Sequence, residues 1–531
     1  MKKLIVSILF TIFAAVQAYS QPSLERLDAI DRGTGSFDWF RDIYVDANGF
    51  TYVTGETDSS IAVSGLNIIT IKYNPDFTKA WVKHFNFANL TDRCSLIRVD
   101  AVGNVYVIGY VGVTSTPSDY DIIVIKYKPN GVLEWIQRLI PAGYGGLGFD
   151  VPNDAVIKGG FLYVVGLVKE NTTTYPDGVL FKVSATGTYS SVTLGTPGTS
   201  ERFEGITMDP AGNIYVTGTG SNESKGLAAK YNSSLGLLWS KEITDTTRSR
   251  IALSNIILNS TGGVIINGIA AGIGFSDITN LMMLNPSTGA LMWYKRSNCT
   301  AIPKVTKLIK DNSGNIIYSG YVSDGSPYRG LIVKYNSSGV LQWSKVLDTL
   351  RMVTDIESDS YGNIYPVARY GLGNKYFAKY DPSGNFKWYG SFRNAEGNQS
   401  YFTGGKLYIA GSINGVTGNT SMFVARYTFP SGAIRPRGEI IDEPNSFRLE
   451  ENYPNPFNPS TKIRFSVPFD GMTTLKVYDI AGKEVASLVE TDLEAGYHEV
   501  NFNASELSSG VYFYRLTSGS FTEVKKMMLL K

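Results

Sequence analysis

One phrase recurs along this chain, and the recurrence limits the possible folds more than any other feature. In its clearest copy the phrase is Asp-x-x-Gly-Asn-x-Tyr-Val-x-Gly from Asp209, then Lys-Tyr-Asn from Lys230, then Gly-Leu-Leu-Trp ending at Trp239. Related opening turns lie at 46–49, 100–103, 311–314 and 359–362, with weaker copies near Gly160, Gly262 and Gly405. Eight units follow, each of about 50 residues, a period typical of repeat architectures.

Each unit predicts four short strands, one before the opening turn and one each through Tyr-Val, Lys-Tyr and Trp. In the third strand of the first unit, Ile69, Ile71 and Tyr73 alternate with polar residues, which is the two-residue period of a strand. Four antiparallel strands make one blade of a β-propeller. The sequence therefore predicts an all-β chain with a β-propeller of eight four-stranded blades, with seven blades as the alternative, and a small C-terminal antiparallel β-sandwich.

The two ends of the repeat region predict how the ring closes. The eighth unit has no clear fourth strand and ends near Arg435, whereas residues 23–30 precede the first unit where a fourth strand would lie. An N-terminal strand in the last blade would leave no open sheet edge at this seam. We therefore expect the propeller to span residues 21–436, with residues 23–30 closing the last blade.

Residues 1–20 have the pattern of a secretory signal peptide, with two early lysines, an apolar run and small residues before Gln21. No later segment is apolar over the length that a bilayer requires, so we expect no transmembrane segment in the mature chain. The full chain has 49 Lys and Arg against 47 Asp and Glu, and loss of Lys2 and Lys3 leaves 47 of each. This balance argues against a nucleic-acid partner.

The composition changes after the repeats. Residues 437–445 are acidic and end in Pro-Asn, which is typical of an exposed linker. Residues 446–531 abandon the repeated phrase. Alternating patterns there predict six strands, at 461–467, 474–480, 484–489, 498–502, 511–516 and 521–529. This number of strands in a short segment favours a small sandwich.

Both regions resemble known families. The phrase Gly-Asn-x-Tyr-Val-x-Gly with Lys-Tyr-Asn-x-x-Gly-x-Leu-x-Trp resembles the SBBP repeats of bacterial β-propellers, over residues 23–436. The C-terminal segment resembles the type A sorting domain of the type IX secretion system. Its matching residues are Asn452, Tyr453, Pro454, Asn455, Pro456, Gly510, Tyr512, Lys525 and Lys526. The resemblance implies export through the periplasm, the type IX machinery as a partner, and a final place outside the cell or on its outer surface.

The residues that most catalytic sites need are scarce. Only His84 and His498 are present, so the chain has too few histidines to favour a Ser-His-Asp triad or a histidine metal site. Each Asp-x-x-Gly turn offers one carboxylate, whereas a calcium loop places several oxygens at alternate positions. We therefore expect no metal and no cofactor, and the sequence favours a protein without catalytic activity.

The loops between strands two and three, and between successive units, vary in length and share one face of the predicted propeller. Functional surfaces on repeat scaffolds usually use such variable loops. Candidate ligand-binding residues on that face are Arg93, Tyr144, Arg202, Arg248, Arg250, Lys304, Arg351 and Arg393. Because guanidinium groups bind carboxylates in pairs of hydrogen bonds and aromatic rings stack on sugars, we expect a binding or adhesion module for an acidic glycan or a surface protein.

Three alternatives remain open from the sequence. The arginines of this face could simply pair with nearby Asp92, Glu201 and Glu204. The chain could instead be a polysaccharide lyase or glycosidase that works without histidine at the axial mouth, where two close carboxyl groups would be diagnostic. A purely structural surface protein is the third alternative.

Overall fold

The computed structural model describes residues 23–30, 38–58, 66–88, 90–114, 119–144, 148–169, 175–195, 198–222, 224–272, 275–297, 302–323, 327–369, 371–372, 375–391, 395–414, 420–429, 448–467, 471–493, 496–518 and 521–531. The predicted signal peptide (1–20), the predicted linker (437–445) and Arg393 lie outside these residues. The described part of the chain is built from strands, with no α-helix, and falls into two compact units, whose described residues lie within 23–429 and 448–531.

The described residues of the first unit form 32 strands. They are β1 (Ser23–Ile30), β2 (Trp39–Val45), β3 (Thr51–Asp58), β4 (Leu66–Tyr73), β5 (Lys79–Phe85), β6 (Asp92–Val99), β7 (Val105–Gly112), β8 (Tyr120–Tyr127), β9 (Leu133–Leu139), β10 (Val151–Lys158), β11 (Phe161–Val168), β12 (Asp177–Val183), β13 (Tyr189–Leu194), β14 (Arg202–Met208), β15 (Ile214–Gly220), β16 (Lys225–Tyr231), β17 (Leu237–Ile243), β18 (Arg250–Leu258), β19 (Val264–Gly272), β20 (Phe275–Leu284), β21 (Leu291–Ser297), β22 (Ile302–Lys310), β23 (Ile316–Ser323), β24 (Arg329–Tyr335), β25 (Leu341–Leu347), β26 (Val353–Ser358), β27 (Ile364–Ala368), β28 (Lys375–Tyr380), β29 (Phe386–Ser391), β30 (Ala395–Thr403), β31 (Lys406–Asn414) and β32 (Thr420–Thr428).

These strands form eight four-stranded antiparallel sheets, which confirms the predicted fold class. Blades one to seven each take four consecutive strands, beginning at β2, β6, β10, β14, β18, β22 and β26. Blade eight has the order β30-β31-β32-β1, so its outer strand is the N-terminal strand of the unit. The first strand of each blade lines a central axial channel.

Apolar packing between neighbouring blades closes the ring. Each buried cluster of the first unit combines side chains from two successive sheets, and the series includes the seam between blades eight and one. At that seam Phe40 and Ile43 of blade one pack with Tyr408 and Val424 of blade eight. Because each sheet buries both faces, no blade could retain its structure alone.

Steric crowding explains why glycine recurs at the end of the repeated Tyr-Val-x-Gly phrase. All eight innermost strands carry a β-bulge, a shift in pairing register, at the same level. In blade four Gly218 lies opposite the bulge, and a Cβ atom there would come within 1.9 Å of the Arg202 carbonyl oxygen. Blade seven departs from the pattern, with Ala368 at this position and Pro366 two residues earlier.

The repeated lysine and tryptophan link each blade to the next one. Lys72 Nζ and Trp81 Nε1 of blade one both donate to the Pro129 carbonyl oxygen in a turn of blade two, each at 3.1 Å. The same double contact joins blades two and three, four and five, and six and seven. Blade three contributes Lys182 alone. The repeated lysines are therefore structural.

The contact from blade five to blade six lacks this lysine. Met283 occupies its position, and Trp293 Nε1 has no hydrogen-bond partner in the described part of the chain. The opening turn of blade five also has Asn259 where blades one, two, four, six and seven have aspartate, and Asn259 Nδ2 lies 3.5 Å from Met283 Sδ. In blade six the corresponding Asp311 and Lys334 form an ion pair at 3.1 Å.

Strand β1 completes blade eight and binds to blade one. The Glu25 carboxylate accepts hydrogen bonds from Arg426 Nε and Nη2 at 3.0 and 2.7 Å and from Thr428 Oγ1 at 2.6 Å. Arg426 Nη1 also donates to the Pro75 carbonyl oxygen of blade one at 2.6 Å. Asp28 of β1 accepts a hydrogen bond from Tyr73 Oη of blade one.

The second unit contains two sheets that share one apolar core. Its strands are β33 (Arg448–Leu449), β34 (Ser460–Val467), β35 (Gly471–Tyr478), β36 (Glu484–Leu493), β37 (Gly496–Asn503), β38 (Gly510–Ser518) and β39 (Phe521–Leu529). The sheet orders are β33-β34-β37 and β36-β35-β38-β39. Sequence analysis predicted six strands and missed β33, because a two-residue strand is too short to show alternation.

Candidate functional site

The main candidate site is a cavity of about 630 Å³ on the face formed by the variable loops. It spans blades four, five and six, where the innermost strands β14, β18 and β22 begin. The cavity brings together Arg202, Arg250 and Lys304, one cation from each of three successive blades. Arg202 and Lys304 occupy the same register position in their blades, opposite the residue that follows the repeated glycine, whereas Arg250 lies two residues nearer the loop, where it pairs with Ala271.

Two carboxylates share the cavity with these three cations. Arg202 Nε forms an ion pair with Glu204 Oε1 at 2.6 Å, so this arginine behaves as the alternative interpretation expected. Asp277 is the second acid in the lining. Lys304 is exposed and has no ion-pair partner among the described residues. The cavity therefore carries a net positive charge of one, counted from three cations and two carboxylates.

Sequence analysis missed the aromatic side of the cavity. Tyr321 and Tyr328 pack edge to face, with ring centroids 5.3 Å apart and planes at 71°. Tyr328 is 45% exposed. Alignment of the second strands of all units could have revealed Tyr321, because it directly follows the repeated glycine at Gly320.

The other predicted residues lie outside this cavity. The Tyr144 hydroxyl donates to Asp177, and its ring packs against the core between blades two and three. Arg248 lies in the loop before blade five, where Nη1 donates to the Thr247 carbonyl oxygen. Arg93 is the second residue of β6 in blade two, and Arg351 lies in the loop before β26 of blade seven. The structure therefore brings Arg202, Arg250 and Lys304 into one cavity and places the other described candidates elsewhere, because the blades spread them around the ring.

The axial channel is a second cavity, of about 460 Å³, and its charged groups are largely occupied in joining blades. Arg98 of blade two pairs with Asp42 of blade one at 2.8 Å and with Asp154 of blade three at 3.2 Å. Asp42 also accepts the Ile97 backbone N–H of the next blade. These charges stabilise the inner ring because each one bridges different sheets.

Two carboxyl groups of the channel lining have a raised pKa: Asp154, through burial, and Glu357. Burial and the neighbouring Asp355 carboxylate raise the pKa of Glu357 well above its usual range. Asp355 itself accepts hydrogen bonds from the backbone N–H groups of Ile356 and Ser400, and Lys307 Nζ lies 3.5 Å away. The channel therefore contains one carboxyl that favours the protonated state beside one that is held by structural contacts.

In the second unit the predicted sorting motif forms a tight turn against the last strand. Asn452 is buried, and its backbone N–H donates to the Tyr514 hydroxyl at 3.0 Å. The Tyr453–Pro454 and Asn455–Pro456 peptide bonds are cis. Asn455 Oδ1 accepts the Met528 backbone N–H at 3.0 Å, which joins the turn to β39.

The remaining motif residues divide between structural and surface positions. Gly510 begins β38, and Tyr512 is buried with its hydroxyl bonded to the Ser508 carbonyl oxygen at 2.8 Å. Lys525 pairs with Glu451 at 3.1 Å, whereas Lys526 is exposed. The motif thus combines residues that build the unit with residues that a partner can reach.

Comparison with known proteins identifies this second unit. Residues 451–530 match the family model described as secretion system C-terminal sorting domain. The C-terminal unit is a sorting domain. Such a domain implies export to the cell surface or secretion by the type IX system, with that machinery as a partner. No curated protein sequence matches the chain. No helix in the described part of the sorting domain or the propeller is long and apolar enough to cross a membrane.

Solved structures similar to the chain are distant. The quinohemoprotein alcohol dehydrogenase of Comamonas testosteroni is 10% identical, with 80% of this chain and 79% of that chain covered and a TM-score of 0.49. The polysaccharide lyase Uly1 is 10% identical, covers 79% and 93%, and has a TM-score of 0.41. A protein of unknown function from Dyadobacter fermentans is 8% identical, covers 77% and 99%, and has a TM-score of 0.40. Likenesses this distant carry no information about what the chain binds or does.

Proposed function

We propose that this protein is an exported SBBP-type β-propeller that binds an acidic polysaccharide through the cavity of blades four to six. Its sorting domain delivers it to the outside of the cell, where such polysaccharides occur. The propeller serves as a binding or adhesion module, and the loop face carries the ligand site. The opposite face has short turns, several of whose polar groups form hydrogen bonds within a blade or to the neighbouring blade.

The convergence of Arg202, Arg250 and Lys304 in one cavity carries the proposal. Guanidinium and ammonium groups bind carboxylates through charge-assisted hydrogen bonds. The Tyr321 and Tyr328 rings supply an apolar surface beside them, suited to the C–H face of a sugar. A polymer of uronic acids presents both features in every residue, because each sugar ring carries one carboxylate.

Titration calorimetry with alginate oligosaccharides tests the proposal. Lys304→Ala and Arg250→Ala should each weaken binding about tenfold, the loss expected for one charge-assisted contact of about 1.4 kcal/mol. Binding should also weaken with added salt. Lys158→Ala, an exposed lysine at the opposite end of an innermost strand, is the matched control and should bind as the unmodified protein does.

Unchanged affinity in both cavity variants would contradict the proposed site. Equal affinity for alginate and for a neutral oligosaccharide of the same length would contradict the proposed role of charge. Tight binding of a cell-surface protein that is lost in both variants, without alginate binding, would assign the same cavity to a protein ligand.

Polysaccharide cleavage in the axial channel is a second candidate function, and the raised pKa of Glu357 favours it. A carboxyl that stays protonated near neutral pH is the kind of group that glycosidases use as general acid. Incubation with alginate, followed by an assay for new reducing ends, tests this candidate. Activity that disappears in Glu357→Gln would establish an enzyme, whereas intact polymer after incubation would leave the binding function alone.

A further inference from the structure

In the cavity of blades four to six, blade six contributes one cation and a pair of tyrosines. Blade two carries a matching cation and a matching pair of tyrosines. In blade six Lys304 of the innermost strand lies directly opposite Tyr321 of the second strand. In blade two Arg93 lies directly opposite Tyr110 in the same way. Both tyrosines follow the repeated glycine of their strand. The two cations and the two tyrosines therefore occupy equivalent places in their blades.

The second tyrosine of each pair also matches. Tyr120 begins the third strand of blade two, and Tyr328 immediately precedes the third strand of blade six. The Tyr110 and Tyr120 ring centroids are 5.3 Å apart with planes at 89°, and the pair in blade six has the same separation with planes at 71°. Both pairs are edge-to-face contacts at the loop face of the propeller.

The combination is confined to these two blades. The residues after the glycine position in blades one, three, four, five, seven and eight are Glu56, Leu167, Thr219, Ile269, Arg369 and Ser412. None of these is aromatic, so a basic residue opposite a tyrosine occurs only in blades two and six. In a ring of eight, these blades are four positions apart and face each other across the axis.

Blade two adds a third ring at this place. Phe149, 40% exposed, packs edge to face on Tyr120 with ring centroids 6.0 Å apart. Backbone hydrogen bonds hold the arrangement, since Tyr120 N–H donates to the Gly148 carbonyl oxygen at 2.8 Å and Asp150 N–H donates to the Tyr120 carbonyl oxygen at 3.0 Å. The aromatic group is therefore fixed before any ligand arrives.

We propose that Arg93, Tyr110, Tyr120 and Phe149 form a second saccharide site, which binds the same acidic polysaccharide chain on the opposite side of the channel mouth. This inference rests on the proposed function of the cavity of blades four to six. Blade two offers one cation and three rings, so it favours stacking, whereas the first cavity offers three cations and favours carboxylates. One chain held at both places would bind far more tightly than either site alone, because the second contact becomes intramolecular.

Calorimetry with alginate oligosaccharides of two lengths tests the second site. An alginate disaccharide should bind with two molecules per protein chain, and an oligosaccharide of about twenty residues should bind once and about 100-fold more tightly. The double variant Arg93→Gln, Tyr120→Leu should bind one disaccharide per protein chain. It should also lose the increase in affinity from the disaccharide to the long oligosaccharide. Arg93→Gln alone should reduce this increase in affinity partly. Because this single variant keeps the half-buried Tyr120, it leaves the aromatic packing unchanged.

The matched control is Tyr361→Leu, an 83% exposed tyrosine in an opening turn on the opposite face. It should leave both stoichiometry and affinity unchanged. A stoichiometry of one for the disaccharide, with wild-type affinity for the long chain in the Arg93→Gln variant, would overturn the second site alone. Absence of alginate binding at either length would overturn the proposed function itself, so the two failures are distinguishable.

Discussion

Replacing Glu25 with glutamine tests how the ring is closed. Glu25 belongs to the N-terminal strand, and its carboxylate contacts Arg426, Lys406 and Thr428 of blade eight. Arg426 is 4% exposed and reaches the Pro75 carbonyl oxygen of blade one, so loss of the carboxylate leaves a buried guanidinium without its counter-charge. The variant keeps the size of the side chain and removes only its charge.

The expected loss of unfolding free energy in Glu25→Gln follows from the pKa of Glu25. Although burial opposes ionisation, hydrogen bonds from Thr428, Lys406 and Arg426 lower the pKa of Glu25 from 4.5 to about 2. At about 1.36 kcal/mol per unit, the difference of 4.5 − 2 = 2.5 units is equivalent to about 3.4 kcal/mol. The side chain is 31% exposed, and solvent screening reduces this upper bound, so we expect Glu25→Gln to cost about 2 kcal/mol at pH 7.

The pH dependence has a definite sign. Because the folded-state pKa lies below the unfolded one, the contribution of Glu25 is complete above about pH 4.5 and disappears as the pH falls toward about 2. Urea denaturation at a series of pH values measures it. Asp348→Asn, at an 82% exposed acid paired with Arg329 at 3.8 Å, is the control and should change stability by less than about 0.5 kcal/mol. Equal stabilities of Glu25→Gln and wild type at pH 7, or a gap that persists to pH 2, would refute the reasoning.

The remaining predictions concern the repeat. Gly218→Ala should lower the free energy of unfolding by about 3 kcal/mol, because the new Cβ meets the Arg202 carbonyl oxygen at 1.9 Å, whereas Gly262→Ala, with open space around the Cβ position, should cost only the strain of its positive φ, about 1 kcal/mol. Asn259→Asp combined with Met283→Lys should raise the unfolding free energy by about 1 kcal/mol, because the new lysine can reach the carbonyl oxygen of the blade six turn.

Both predictions have clear contrary results in denaturant titrations. Equal losses from the two glycine substitutions would show that the bulged strand does not require glycine opposite it. For blade five, the double variant should exceed the sum of the single variants by about 1 kcal/mol, because the ammonium needs its carboxylate partner. Additive single effects would contradict the account of the lysine contacts between blades.

Much of the fold follows from the sequence itself. The eight repeated units determine eight sheets, because each unit contains four strands with a two-residue period and turns that glycine permits. The sorting domain is also recognisable from its sequence, because its turn motif must build the contact between Asn452 and Tyr514 and the contact between Asn455 and the last strand. The residues that form these turns, strands and contacts are close together in sequence or recur at a fixed period. They can therefore be recognised from the sequence alone.

Only the tertiary structure decides which of the basic residues meet. Arg202, Arg250 and Lys304 are about 50 residues apart in sequence and line one cavity because they lie at or near the start of the innermost strands of three consecutive blades. Arg248 is two residues from Arg250 but lies outside this cavity, since it belongs to the loop before β18, whereas Arg250 is the first residue of that strand. Proximity here depends on the rotation from blade to blade and on the direction of each strand, and neither quantity is present in the order of the residues.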